Sequence, residues 1–399
     1  MILTGLKDRI FDALDQRKDE MIAIRRHLHE YPELSFHETK TSQYIRDFYE
    51  GKDCKVVANV GTGYGITIDI QGGRPGKSLA IRADFDALPI EEASGVPFTS
   101  KNPGVMHACG HDGHTAYMLI LADTLIQFKE ELPGMVRIIH QPAEEVPPGG
   151  SKDMIEGGCL EGIDNVLGIH VMSTMDVGKV YYHKGGIHTG RATFKLTITG
   201  KGGHGSAPQD ANDAIVAGAQ FVTAAQTIVS RRISPFDAVT VTIGSFDGKG
   251  SANVIKESVT LEGDVRMMDE ANRPVVEAQF KQILEGISQA FGVTYDLEYG
   301  NDYPVCMNDE KLTEKVIHAI ESAGIPEVSG VEDVGPQTAS EDFAYYALER
   351  PSCFIWVGAH EPGTPVYPHH NPKFTIDEGC LIISAKAMAS AVLAYLEEE

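Results

Sequence analysis

The sequence predicts an α/β protein interrupted by an inserted α+β module. Three observations carry this. Short apolar runs alternate with helical patterns at both ends of the chain, as in a sheet covered by helices on both faces. The middle of the chain switches to strands of alternating polarity, which mark a half-buried sheet. Acidic residues, histidines and a cysteine gather at or just beyond the ends of predicted strands, where open α/β sheets place their sites.

The elements follow in order. Ile10, Leu14, Met21, Ile24 and Leu28 recur at helical spacing, and Pro32 ends that helix. A second helix is expected over 41–49. Apolar runs at 65–70, 78–83, 136–140 and 166–171 predict strands, with a helix over 112–128 between them. From 192 to 199, Phe194, Leu196 and Ile198 alternate with polar residues. A helix over 213–229, strands over 238–244 and 258–266, a helix over 273–291 and a strand over 293–299 follow. The order β-α-β-β-α-β is that of a ferredoxin-like module. The expected domains are therefore 1–185, an insertion at 186–300, and 301–399, where the α/β domain resumes with a helix over 310–324, a strand over 353–357 and a helix over 379–396.

Composition narrows the function classes. A 399-residue chain with 42% hydrophobic residues can bury a large core. The net charge of −23 speaks against nucleic acid and anionic membranes as partners. The N-terminal segment is charged throughout, unlike a signal peptide, and the apolar stretch 117–122 is too short to span a bilayer. Six scattered cysteines read as reduced thiols, so a cytoplasmic protein is expected.

The strongest chemical signal is the run His107-Ala108-Cys109-Gly110-His111-Asp112-Gly113-His114. Thiolate and imidazole are preferred ligands of zinc and its neighbours. Gly110 lets the chain bend so that Cys109 and His111 can face one point. The second signal is Glu144-Glu145, after the strand ending at His140. Adjacent buried carboxylates need a cation or shifted pKa values. Beside a metal, one can ligate while the other acts as base. His170 ends another apolar run; His369 and His370 sit in a loop before the C-terminal helix; and Asp84 and Asp86 follow a further strand. Each could be incidental alone, as a core histidine or a solvated acidic loop; their shared position raises them together.

These motifs resemble the M20 metallopeptidase family, in particular its amidohydrolase branch of hippurate hydrolases, indole-acetyl-amino-acid hydrolases and N-acetyl-diaminopimelate deacetylases. The resemblance spans the chain: RADFDALPI, MHACGHDGH, QPAEE, GIHV, GKGGHGSAP, SANVI, GDVR, SEDF and HNPKF occur in order. It implies a zinc-peptidase-like catalytic domain with a mixed sheet and a ferredoxin-like lid. It implies two divalent metals, zinc or manganese (cobalt or nickel also fitting), held by Cys109, His111, Glu145, His170 and His370. Glu144 becomes the general base and Asp86 the orienting aspartate. Asp84 stands where the wider family has a metal-binding histidine. In the lid, His204 is implied to reach the reacting carbonyl, often in a partner subunit, and Asn253 and Arg266 to meet the substrate carboxylate. Lys256 departs from the proline of many relatives. The implied activity is hydrolysis of N-acyl amino acids by a homodimer joined through the lid. The same site could instead serve a dipeptidase or carboxypeptidase, or, without a working base, a noncatalytic metal-binding protein.

Overall fold

The computed structural model describes residues 2–397. Two compact units emerge. One comprises Met1–Ile187, Met307–Pro336 and Asp342–Glu399; the other comprises His188–Cys306 and Gln337–Glu341.

The first unit is built on an eight-stranded mixed sheet. Its spatial order is Lys55–Val60, Gly65–Gln71, Pro133–Gln141, Arg74–Asp84, Asn165–Asp176, Ser352–His360, Lys179–Tyr182 and Gly330–Asp333. The four central strands run parallel, and the two at the N-terminal edge are antiparallel. The central stretches of the parallel strands are buried, although Arg74–Asp84 begins exposed, so those stretches read as apolar runs. Helices His111–Gln127 and Gly379–Leu396 pack in this core and are buried along nearly their whole length. Burial on all sides explains why neither shows a polar face. Gly379–Leu396 is long and apolar enough to cross a membrane by composition, yet most of it is enclosed within the fold.

Several elements depart from the sequence reading. The N-terminal helix is two helices, Ile2–Gln16 and Lys18–Glu30, broken at Arg17. Strands Lys55–Val60, Lys179–Tyr182 and Gly330–Asp333 were not anticipated; they are short or exposed along much of their length, so they carry little apolar pattern. The strand carrying His170 does not stop there but runs to Asp176, because Ser352–His360 pairs along it as far as the His360–Asp176 register.

The second unit is a four-stranded antiparallel sheet ordered Val239–Asp247, Ser258–Met267, Gly190–Thr199, Thr294–Asn301. Helices Ala214–Arg232 and Asn272–Phe291 supply the rest of its core, where Phe194, Phe221 and Phe280 meet edge to face. Asp213 caps the first helix by accepting the amides of Ile215 and Val216. Gly263 is required opposite Phe194: a Cβ there would lie 2.4 Å from the ring.

Candidate metal centre

Strand ends in the first unit deliver most of the site. Arg74–Asp84 leads into Asp86, Pro133–Gln141 leads into Glu144 and Glu145, and Asn165–Asp176 carries His170. Gly110 caps the helix His111–Gln127 with φ 94°, and a Cβ there would come within 2.5 Å of Val171. This tight left-handed turn is what brings Cys109 and His111 to one side.

Cys109 Sγ lies 3.5 Å from His170 Nε2. His111 Nε2 lies 3.9 Å from Glu145 Oε1, and His370 Nε2 lies 3.1 Å from Glu145 Oε2. Ligand atoms of Cys109, His111 and Glu145 fall within 4.8 Å of one another, as do those of Cys109, His170 and His369. The His370 amide donates to Ala108 O at 2.8 Å, tying the C-terminal loop to the cysteine segment. His370 takes φ 65° there.

The donor set fits divalent cations. His111 Nε2 and Glu145 Oε1 are buried without a hydrogen-bond partner, a state that costs about 1–3 kcal/mol per group. Burial pushes the Cys109 thiol well up, and the Glu145 and Glu144 carboxylates push it further. A cation among these groups would complete the two orphaned atoms and offset the carboxylates.

Asp86 is bonded into this cluster. Its Oδ1 lies 3.2 Å from His111 Nδ1, its carbonyl lies 3.0 Å from the same nitrogen, and its Oδ2 accepts Ser35 Oγ at 2.7 Å and the Glu145 amide at 3.0 Å. Burial alone would raise the Asp86 carboxyl, but His111, the Glu145 amide and Ser35 hold it below its usual range. With Nδ1 facing the Asp86 carbonyl and carboxylate, Nε2 is the nitrogen left to meet a cation in exchange for its proton. For His111, burial opposes charge, yet Asp84, Asp86 and Glu145 raise it to about 10.

His114 is different. Its Nδ1 faces Asp84 and its Nε2 accepts the Val171 amide, so both nitrogens are engaged. His114 braces the site, its ring stacked on His111 and meeting His170 edge to face. Asp84 is likewise absorbed by Arg82 and His114. Arg82 also binds Asp342, which accepts Gln141 Nε2 at 2.8 and 2.7 Å. The Asp342 amide approaches Glu144 Oε1 at 3.4 Å. His369 meets the His170 ring edge to face and lies 3.1 Å from Val171 O through Nε2.

The residues expected in the lid occupy the second unit. His204 is exposed; its Nδ1 accepts the Ser206 amide at 3.1 Å, with Ser206 Oγ at 2.7 Å. That bond assigns the ring proton to Nε2 in the neutral form. His204 pairs with Val254, beside the exposed Asn253. Arg266 is not free: its Nε donates to Asp264 at 2.8 Å. Sequence reasoning missed Ser35, Glu38 and Asp342 as contributors. The first two lie in the PELSFHE segment and the third in SEDF, motifs whose residue types show no ligand spacing.

A model of peptidase family M20/M25/M40 matches residues 80–394. The chain is 39% identical over 369 residues to an N-acetyl-L-cysteine deacetylase of Bacillus subtilis, covering 92% of this chain and 86% of that one. It is 36% identical over 393 residues to thermostable carboxypeptidase 2 of Saccharolobus solfataricus, covering 98% and 99%. It superposes on the crystal structure of Bacillus subtilis YXEP, a dinuclear metal-binding peptidase of the M20 family, with TM-score 0.82 and 32% identity over 96% of this chain and 99% of that chain. With this match over most of its length and a donor set suited to divalent cations, the chain belongs to peptidase family M20/M25/M40 and is a hydrolase.

Proposed function

We propose that the protein is a two-metal amidohydrolase that removes the acyl group from N-acyl amino acids. One observation carries this reading. Two adjacent glutamates have separate surroundings: Glu145 faces His111 and His370, while the Glu144 carboxylate sits in the interior against the Asp342 amide. A site that only bound metal would need Glu145 alone.

Cys109, His111, Glu145, His170 and His370 would hold the metals, zinc or manganese by donor type. When bound, such metals polarise a carbonyl and lower the pKa of a water. Glu144 would accept that water's proton and pass it to the departing amine. Asp86 keeps His111 in the ligating tautomer. His204, with its proton on Nε2, would donate to the developing oxyanion; one such donor is typically worth about 3–4 kcal/mol. Asn253 and Arg266 would meet the substrate carboxylate, with Asp264 holding the Arg266 fork in one orientation. The inserted unit would act as lid and dimer interface, in a cytoplasmic homodimer.

The test is a hydrolysis screen of N-acetyl, N-benzoyl and indole-acetyl amino acids on chelated and remetallated protein. Carboxypeptidase action is the second reading, favoured by the similarity to the Saccharolobus enzyme. The same screen extended to N-blocked dipeptides separates the two: release of free acyl acid supports the first, release of the C-terminal amino acid the second.

A further inference from the structure

The turn bearing the two glutamates is gripped from both sides. At one end the Glu145 amide donates to Asp86 Oδ2. At the other, the Ala143 amide donates to Glu38 Oε1 at 2.8 Å. Between these anchors Ala143 adopts φ 55°, a left-handed conformation that a residue with a Cβ rarely takes and that persists only where surroundings enforce it.

Glu38 is an unusual residue to find there. It is fully buried, and its Oε2 has no hydrogen-bond partner. It stands at the N-terminus of the helix Thr39–Phe48, where a carboxylate could cap its own helix, yet its side chain makes no capping bond. The carboxyl points instead at Ala143. Burial, reinforced by the Asp86 carboxylate, raises it to about 8. A buried acid with an orphaned oxygen weakens a fold relative to an apolar residue of the same size. Stability therefore does not account for it.

We propose that Glu38 is a positioning residue: by holding the Ala143 amide it fixes the left-handed turn that aims Glu144. The segment Ser35–Glu38 thus supports both clamps, because Ser35 Oγ also bonds the Asp86 oxygen that grips Glu145. This inference rests on the reading of Glu144 as the general base. A small displacement of such a group is enough to slow chemistry while leaving substrate affinity intact.

The test compares Glu38→Gln, which keeps an amide-accepting oxygen, with Glu38→Met, which keeps the volume and loses the acceptor; Glu144→Gln is the reference. Each is prepared with full metal content and assayed on the best substrate of the screen above. Glu38→Met should lower kcat about 10- to 100-fold with KM within about twofold of the parent. Glu38→Gln should restore kcat to within about threefold. Hydrogen exchange at the Ala143 amide should be slow in the parent and Glu38→Gln and fast in Glu38→Met, a readout independent of turnover. A parental kcat in Glu38→Met, while Glu144→Gln is inactive, would overturn the proposal, as would slow exchange at Ala143 in Glu38→Met. Full activity in Glu144→Gln would instead overturn the base reading itself.

Discussion

His370 Nε2 lies 3.1 Å from Glu145 Oε2, although the whole inserted unit separates them in sequence. The pair brings the C-terminal loop to the candidate metal centre, which is drawn from several separate stretches of chain. Chelation should abolish hydrolysis, and added zinc or manganese should restore it. Glu145→Gln should lose most of its metal by elemental analysis. Full activity in chelator would refute a metal role.

Glu144→Gln should behave in the opposite way. It should keep its metal, because Glu144 faces the Asp342 amide, and lose about 10²-fold or more in kcat, as removal of a general base does. Retained metal in Glu145→Gln together with lost metal in Glu144→Gln would reverse the two roles.

Arg82 should prove essential to stability. It is 1% exposed and neutralises two buried carboxylates, Asp84 and Asp342. Arg82→Met removes the arginine both carboxylates share, leaving Asp84 to His111 and His114 and Asp342 to Gln141, and breaking a buried pair in this way costs about 3–5 kcal/mol. Calorimetry should show a lowered Tm; an unchanged Tm would contradict the network's importance.

Acid should destabilise the fold partly through His140. Burial pushes its pKa down to about 3, against about 6.5 when unfolded. Between these values the unfolded chain binds a proton that the folded one does not, so stability falls as pH drops from about 6.5 toward about 3. His140→Gln should flatten that dependence. Urea midpoints at pH 7 and pH 5, measured for both proteins, test it; equal slopes would remove His140 from the account.

His204→Ala should lower turnover while metal content stays unchanged, since its ring lies in the second unit and every proposed metal ligand in the first. Mixing inactive His204→Ala with inactive Glu144→Gln protein should regain activity if the histidine serves a partner subunit. No recovery despite demonstrated subunit exchange would place its action within its own chain.

Much of this was legible in the sequence because burial writes itself into periodicity. The runs at 65–70, 78–83 and 136–140 fall on the mostly buried stretches of their strands, and the alternation at 192–199 reflects a sheet with one covered face. Strand Lys55–Val60 was invisible because five of its six residues keep some exposure. In the candidate site, the gathering of Cys109, His111 and Glu145 was legible from ligand chemistry. The difference between His111 and His114 was not: it depends on whether the second ring nitrogen is taken, by the Val171 amide in one case and by nothing in the other. Glu38 was invisible for a similar reason, since its partner is a backbone amide, which has no residue type.

The placement of Ser352–His360 between Asn165–Asp176 and Lys179–Tyr182 has a bearing on biosynthesis. All four strands of the smaller sheet lie within 190–301, so a ribosome has delivered that unit whole before residue 352 exists. Until then the larger sheet is two separate pieces, each with an open edge of the kind that recruits other strands. The strands of the smaller sheet are therefore all synthesised while the larger sheet still lacks the strand that joins its two pieces, and exposed strand edges of that kind favour aggregation.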